Sequence, residues 1–288
     1  MATMTGNPTA VRRALGQRLR ELRIAADMTV DQASEAAGFS DSKITKIELA
    51  RLKASGDDVA RLTAAYGEIS KAELDQLQAM VREGNGKEWW ERRDLRLPAN
   101  LGVYLGLESV ATVLQAYDPT LVHGLLQTPD YARAVLRGTR PDLLDHEIDQ
   151  RAETRIRRQE ILTRDNPAPL ELWSIMDEAV LRRQIGGKET MHAQLERLIQ
   201  ASTQPNINLL VLPDSMGAHP ALDGPLAILQ FETGTRPVVY VEGQAGNLYM
   251  EKDDDLRRCQ LIMNHTLASA PGPDQSLALI RQIAKEMK

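Results

Sequence analysis

The segment that most constrains the fold of this chain runs from Thr29 to Glu48 and reads TVDQASEAAGFSDSKITKIE. Thr29 and Gln32 form the T-x-x-Q pattern of a capping box, in which each side chain satisfies a backbone N–H of the other, so a helix is expected to begin here. Gly38 supplies the positive φ that ends such a helix, and Ser40 is a favoured N-cap for a second one. The segment therefore predicts two short helices joined by a tight turn, an arrangement that can place one helix in a DNA groove.

The second of these helices has an apolar side and a polar side. Ile44 and Ile47 lie three residues apart and would face the core, which leaves the neighbouring polar side chains outward. The N-terminal residues of a recognition helix enter the major groove most deeply, and a lysine there suits guanine O6 and N7. The base-reading candidates are Asp41, Ser42, Lys43 and Thr45, and the phosphate-contacting candidates are Thr29, Arg18, Lys46, Arg51 and Lys53. The alternative for each of these residues is a solvated polar face with no ligand.

Three further helices complete a small bundle around this pair. Apolar residues recur at helical spacing from Val11 to Ala26. Ser55 and Ser70 each open a capping pattern with an acidic residue three positions later, so each is expected to start a helix. The sequence thus predicts an all-α domain of five helices over residues 11–82, after a flexible tail over residues 1–10.

This part of the chain resembles the Xre/Cro/cI-type helix-turn-helix family, which implies a lambda-repressor-like fold and binding to double-stranded DNA. The family often has a Gln that contacts a phosphate where this chain has Val30, and a Leu-Ala pair where it has Ala33-Ser34. A capped helical hairpin of a purely structural bundle is the alternative. The positions that match the family pattern are Met28, Thr29, Gly38, Phe39, Ser40, Ser42, Ile44, Thr45, Lys46, Ile47 and Glu48.

The net charge of the whole chain does not indicate DNA binding, but the charge of the helix-turn-helix region differs from it. The whole sequence has 35 Lys and Arg against 40 Asp and Glu, whereas nucleic-acid-binding proteins usually carry a basic surface. From Val11 to Lys53, however, nine basic residues face six acidic ones, a local excess of three positive charges. This excess is modest, so affinity is expected to require a homodimer that presents two such surfaces to half-sites roughly 34 Å apart.

A linker is expected over residues 83–100, before a second domain over residues 101–288. Glu83-Gly84-Asn85-Gly86 and Pro98-Ala99-Asn100 are breaks in the helical pattern. Trp89 and Trp90 stand between them, and such an apolar pair either docks onto a neighbouring domain or contacts a ligand or partner.

The second domain begins with a helical pattern and continues with short β-prone runs. Helices are expected over Glu108 to Tyr117, from Pro129 onward and over Asp142 to Leu162. From Leu170 the runs LELWSIM, INLLVLP, LAILQF, VVYVE and LYM predict strands, with Thr233-Gly234-Thr235 as a hairpin connection. The last residues return to helical patterns at Leu256 to Leu267 and Ser276 to Met287. A mixed α/β domain with a largely antiparallel sheet follows.

This half of the chain resembles the second domain of the WhiJ-like family of actinobacterial regulators. The shared words include VHGLLQTPDYARA at Val122 to Ala134, MDEAVLRRQIGG at Met176 to Gly187 and INLLVLPDSMGAHPALDGPLAILQF at Ile207 to Phe231. His123 and Leu226 depart from residues that are common in the family. The resemblance implies a cytoplasmic transcriptional regulator, often encoded beside a small protein that it binds and sometimes described as antitoxin-like.

The motifs of common enzyme classes are missing from the sequence. His146-Glu147 is the only His-Glu pair, and position 150 is Gln rather than the second His of the zinc motif H-E-x-x-H. The nucleotide-binding pattern G-x-x-x-x-G-K-[ST] and the hydrolase pattern G-x-S-x-G are also missing, and Cys259 has no neighbouring His. We therefore expect a protein that is not an enzyme and that needs no metal or cofactor.

Four residues of the second half or its approach are candidates for contact with an effector or a partner: Trp89, Trp90, His123 and His219. His219 lies in the loop DSMGAHPALDG, Asp214 to Gly224, which either gates a pocket, forms a partner surface or is a long hairpin connection. A hydrogen bond within the loop suits His219 better than a metal, because no second ligand lies at the required spacing.

The sequence favours a nucleoid-associated protein of the cytoplasm. A single cysteine, an N-terminus without an apolar core and the lack of a long apolar run give no sign of export or of a membrane span. The leading hypothesis is a dimeric, sequence-specific DNA-binding regulator whose second domain senses a small molecule or small protein. The alternative is an antitoxin-like interaction module that sequesters a small acidic partner and autoregulates its operon.

Overall fold

The computed structural model describes residues 7–91, 101–232, 235–243, 246–250 and 252–287. These residues form two compact units. The first contains residues 7–91 together with Gly102–Val110, and the second contains Leu101 and the described residues from Ala111 onward.

Helices build the first unit, and their caps explain where they begin. The capping boxes at Thr29 and Ser55 and the N-caps at Ser40 and Ser70 are confirmed. The first helix begins earlier than expected, because the Asn7 side chain caps it and Pro8 occupies the first turn, so residues 8–10 belong to the helix rather than to a tail. The helices are α1 (Pro8–Ala25), α2 (Val30–Ala37), α3 (Asp41–Glu48), α4 (Gly56–Tyr66) and α5 (Lys71–Gly84).

The core of this unit is apolar and closely packed. Leu19, Ile44 and Leu62 are completely buried in it, and they come from three different helices. At Gly16, α1 approaches the end of α3 so closely that a Cβ would lie 2.4 Å from the carbonyl oxygen of Glu48. The absence of a side chain there sets the distance between α1 and α3.

The chain that follows α5 stays with the first unit. The buried Glu88 accepts hydrogen bonds from the backbone N–H and the hydroxyl of Thr9, at 3.0 and 2.8 Å. Helix α6 (Leu101–Val110) packs here as well: a Cβ on Gly106 would collide with Thr9, and Asn7 donates to the Ser109 hydroxyl at 3.1 Å. These contacts group α6 with the compact first unit, and the domain boundary expected at residue 101 stays a prediction.

The second unit is α/β, as predicted. Within its described residues a mixed sheet contains the strands β1 (Val113–Asp118), β2 (Glu171–Asp177), β3 (Ile207–Leu212), β4 (Leu226–Gln230), β5 (Val238–Val241) and β6 (Leu248–Met250). The helices of this unit are α7 (Pro129–Thr139), α8 (Asp145–Arg157), α9 (Glu178–Arg182), α10 (Lys188–Ala201), α11 (Asp253–Ser269) and α12 (Pro273–Glu286).

The strand order is β3-β2-β1-β4-β5-β6, which joins a parallel half to an antiparallel half. The pairs β1–β2 and β2–β3 are parallel, whereas β1–β4, β4–β5 and β5–β6 are antiparallel. The connection from β3 to β4 passes two strands, so the loop over Asp214 to Gly224 is a crossover and not a hairpin. Thr233 and Gly234, the expected hairpin residues, lie outside the described residues.

Two predicted helices differ from the observed elements. The helix expected over Glu108 to Tyr117 is wrong, because Val113–Asp118 is the central strand β1. Its apolar residues suit a strand buried on both faces as well as a helix, and such a short run does not distinguish the two. The helix expected over Asp142 to Leu162 is α8 followed by a 3-10 helix at Arg158–Leu162.

Candidate nucleic-acid interface

The turn between α2 and α3 is held by a side chain from α4. Gly38 ends α2 in the left-handed conformation, with φ of 64°. Arg61 donates hydrogen bonds to the carbonyl oxygens of Ala37 and Gly38, the shortest of them 2.6 Å long. The guanidinium of Arg61 and the ammonium of Lys43 lie 4.2 and 4.0 Å from the ring centroid of Phe39. Sequence analysis missed Arg61, because the carbonyls it binds are more than twenty residues away along the chain.

The first turns of α3 present polar side chains to solvent. Asp41, Ser42, Thr45 and Lys46 are exposed, while Ile44 and Ile47 are buried in the core. This division agrees with the expected orientation of a recognition helix. The exposed carboxylate, hydroxyls and ammonium are groups that hydrogen-bond to base edges or phosphates.

Lys43 differs from its exposed neighbours. It is half-buried, and its Nζ pairs with Oδ1 of Asp58 at the N-terminus of α4. Burial acts to raise the pKa of Asp58, but hydrogen bonds from Lys43 and from Ser55 outweigh this effect, so the pKa lies below its ordinary value. The expectation that Lys43 simply points outward is therefore corrected: its ammonium is directed toward α4.

A buried ion pair fixes α3 against α1. Arg23 Nε and Nη2 donate to the two carboxylate oxygens of Glu48 at 2.7 and 2.9 Å, and Arg23 Nη1 donates to the carbonyl of Met28 at 2.9 Å. The hydrogen bonds that Arg23 donates to Glu48 raise the pKa of Arg23. Because the pair is bidentate, it sets the rotation of α3 as well as its position.

The five phosphate candidates lie in different environments. Thr29 and Lys46 are exposed, and no ion pair involves either of them among the described residues. Arg18 binds Glu73 and Glu21, and Lys53 donates to Glu91 at 2.8 Å, so both already have acidic partners. Arg51 is half-buried at the end of α3.

The effector candidates are mostly enclosed. Trp90 is buried in the first unit and meets Trp89 edge to face, with ring centroids 5.3 Å apart. His123 is buried in the second unit, and its Nδ1 accepts a hydrogen bond from the Leu125 N–H at 3.3 Å. Burial, with a contribution from the nearby arginines Arg158 and Arg155, lowers the pKa of His123 to about 3, so the ring is neutral at physiological pH.

His219 joins a small cluster at the ends of β1 and β2. Tyr117 donates a hydrogen bond to Asp177 Oδ1 at 3.0 Å, and His219 Nε2 lies 3.3 Å from the same Tyr117 oxygen. Burial and the neighbouring Asp177 raise the pKa of Tyr117, so the phenol stays protonated. These contacts fasten the crossover loop to the sheet, and the hydrogen bond of His219 is made to Tyr117 of β1 rather than within the loop, where we expected it.

Comparison with known protein families identifies both parts of the chain. The model of a helix-turn-helix domain matches residues 14–77, which cover the interface described above. A second model, a domain of unknown function (DUF5753), matches residues 101–282, more than half of the chain. This chain belongs to the DUF5753 family. No curated protein and no solved structure matches this DUF5753 protein.

No three His, Cys, Asp or Glu side chains in the described ranges are grouped so as to hold a metal ion. No helix within the part of the chain that the structure describes is long and apolar enough to cross a membrane.

Proposed function

We propose that this protein is a transcriptional regulator that binds double-stranded DNA sequence-specifically as a homodimer. The observation that carries the proposal is the exposed polar face at the start of α3, held rigidly by the Arg23–Glu48 pair and by the clamp of Arg61 on the turn. Arg23 and Glu48 are buried, so this pair positions the face without covering it. A preorganised helix loses little conformational entropy on entering the major groove.

Within this proposal, Asp41, Ser42 and Thr45 read bases directly, and Lys46 and Thr29 contact phosphates. Lys43 joins the base readers when its ammonium leaves Asp58 for an acceptor in the groove. That exchange replaces one charge-assisted hydrogen bond by another, so its net cost is small compared with the loss of an ion pair without replacement. Arg18 and Lys53 contribute less, because their acidic partners already neutralise them.

The second unit is proposed to receive a signal. Its resemblance to the WhiJ-like regulators of actinobacteria supports this role, and we propose binding rather than catalysis as its activity. A ligand changes DNA affinity only if it favours one arrangement of the dimer over another.

Binding to the DNA upstream of the protein's own gene, measured by fluorescence anisotropy across a salt series with random duplex as competitor, tests the proposal. We expect a preference for the upstream DNA. Lys46→Ala should reduce the slope of the logarithm of the binding constant against the logarithm of the salt concentration by roughly one unit. The matched control Arg18→Ala should reduce this slope less. Equal binding to both DNAs would contradict the proposal.

Lys43 has its own test in the same assay. Lys43→Ala is expected to weaken binding to the upstream DNA more than binding to random DNA. An equal loss on both would identify a phosphate contact and remove Lys43 from the base readers.

If a small acidic protein co-purifies in stoichiometric amount and the upstream DNA is not preferred, the antitoxin-like function replaces the sensor.

A further inference from the structure

The carboxyl end of β1 carries a half-buried acidic residue. Asp118 is the last residue of this strand, and it points to the opposite face from Tyr117 because successive strand residues alternate. Its Oδ2 is buried, and no described residue donates a hydrogen bond to it. A carboxylate oxygen removed from water without a donor is costly, so such groups are rare outside binding sites.

A cation in a similar situation lies nearby, on α8. Arg155 Nη1 donates to Gln127 Oε1 at 2.9 Å, and Glu242 lies near enough to act to raise the pKa of Arg155, although the two form no ion pair within the described residues. Burial lowers the pKa of Arg155 to about 10, and the guanidinium is therefore still charged at neutral pH. A guanidinium carries five N–H donors, so most of its binding capacity is left for a ligand.

The surroundings of these two charges are held in place by hydrogen bonds. Gln127 Nε2 donates to the Val122 carbonyl at 2.7 Å, and Gln159 Nε2 donates to the Gln127 carbonyl at 2.7 Å. The guanidinium of Arg158 lies over Gly124, with its nitrogen 3.5 Å from where a Cβ would be. This glycine leaves space where a side chain would meet the arginine.

Charges of both signs converge at this place. Burial and the nearby Glu242 raise the pKa of Asp118 to about 7, whereas the nearby Arg158 acts to lower it. Glu242 follows β5, which runs in the same direction as β1. Asp118 and Glu242 therefore lie at the same end of the sheet, where β1 and β5 have their carboxyl ends. Here the parallel half also meets the antiparallel half, and open α/β sheets bind ligands at the carboxyl ends of strands where the order changes direction.

We propose that this end of the sheet binds a small molecule with the chemistry of an α-amino acid. The carboxylate of the ligand pairs with Arg155, and its ammonium group pairs with Asp118 and Glu242. An anion alone would leave Asp118 Oδ2 without a donor, and a cation alone would leave Arg155 with only the neutral Gln127 as a hydrogen-bond partner. The site deepens the proposed function, because it names the class of signal that the second unit would receive.

The first test needs no ligand. Asp118→Asn keeps the shape of the side chain and removes the negative charge of a carboxylate whose buried Oδ2 has no hydrogen-bond donor among the described residues. We expect the variant to raise the melting temperature of the ligand-free protein at pH 8 by about 2 °C or more. The matched control is Asp149→Asn, which loses the ion pair with Arg133 on the exposed side of α8. A fall in melting temperature for Asp118→Asn would show that the carboxylate supports the fold, and it would overturn the proposal.

The second test uses the standard L-amino acids at about 10 mM in a thermal-shift assay, each beside its decarboxylated amine and its deaminated acid. At least one amino acid should stabilise the full-length protein, the single-group compounds should not, and Asp118→Asn and Arg155→Met should abolish the effect. The absence of any stabilisation, or equal stabilisation by the acid alone, would overturn the proposed class.

The same protein samples are tested for DNA preference. If the protein prefers its upstream DNA but binds no amino acid, the proposed ligand site is refuted and the proposed function stands. If it binds an amino acid but shows no preference for the upstream DNA, the proposed function as a DNA-binding regulator is refuted.

Discussion

The buried ion pair between Arg23 and Glu48 gives a direct test of how the recognition helix is held. The two side chains are 9% and 5% exposed. Glu48→Ala leaves the guanidinium buried without its counter-charge, and breaking such a pair costs about 3–5 kcal/mol. Because whole domains are stable by about 5–15 kcal/mol, this single change should remove a large part of the stability of the first unit.

The double replacement distinguishes the cost of an unpaired buried charge from the contribution of the ion pair itself. Arg23→Met with Glu48→Leu removes both charges and fills the space with apolar groups, so it should cost far less than the sum of the two single variants. The Met28 carbonyl loses the donor Arg23 in the double variant, which adds about 1 kcal/mol. We therefore expect a double variant within about 1–2 kcal/mol of the wild type.

Urea unfolding followed by tryptophan fluorescence measures these values. Trp89 and Trp90 lie in the first unit and Trp173 lies in β2, so a Trp173→Phe background restricts the signal to the first unit. If Glu48→Ala costs less than about 1 kcal/mol, or if the single costs add up in the double variant, the ion pair does not hold α3 in the way that its geometry indicates.

Three further predictions concern the same unit. Gly16→Ala should destabilise it by about 3 kcal/mol in urea unfolding, because the new Cβ would lie 2.4 Å from a backbone carbonyl oxygen of α3; a near-neutral result would refute this close approach. Gly38→Ala should destabilise the first unit by about 1–2 kcal/mol through its positive φ alone. The cost should be larger when Arg61 is present, because Arg61 Nη2 lies 2.8 Å from the new Cβ. Equal costs in the wild-type and Arg61→Ala backgrounds would show that the Cβ does not collide with Arg61. Lys43→Ala should raise the pKa of Asp58, as measured by NMR. The lowered pKa of Asp58 stabilises the fold above pH 3.8, and this stability is lost as the pH falls through the pKa of the folded state. The free energy of unfolding of Lys43→Ala should therefore depend less on pH in the acid range.

Local signals predicted the helical unit well. Each capping residue acts on backbone groups two or three positions away, so Thr29, Ser40, Ser55 and Ser70 mark helix starts without any knowledge of the rest of the fold. Capping by Thr128 likewise predicted the start of α7, and runs of β-prone residues predicted the strands β2 to β6. Polar and apolar spacing also indicated which residues of α3 lie outside and which lie inside.

Contacts between distant segments decided what the sequence pattern left open. The apolar run at β1 suits a helix or a buried strand, and its pairing with β2 and β4 selects the strand. The partners of Lys43, Arg18 and Lys53 come from other helices or segments, so no local pattern distinguishes a neutralised cation from one that is available to DNA.

The candidate ligand site depends even more on the tertiary structure. Asp118 and Arg155 are separated by a helix and several turns, and each reads as an ordinary charged residue in its own segment. The sequence by itself determined the helix-turn-helix unit, because capping and helical spacing act over a few residues. Only the tertiary structure buries Asp118 Oδ2 at the end of β1 and Arg155 on α8, because burial and charge pairing depend on three-dimensional distance.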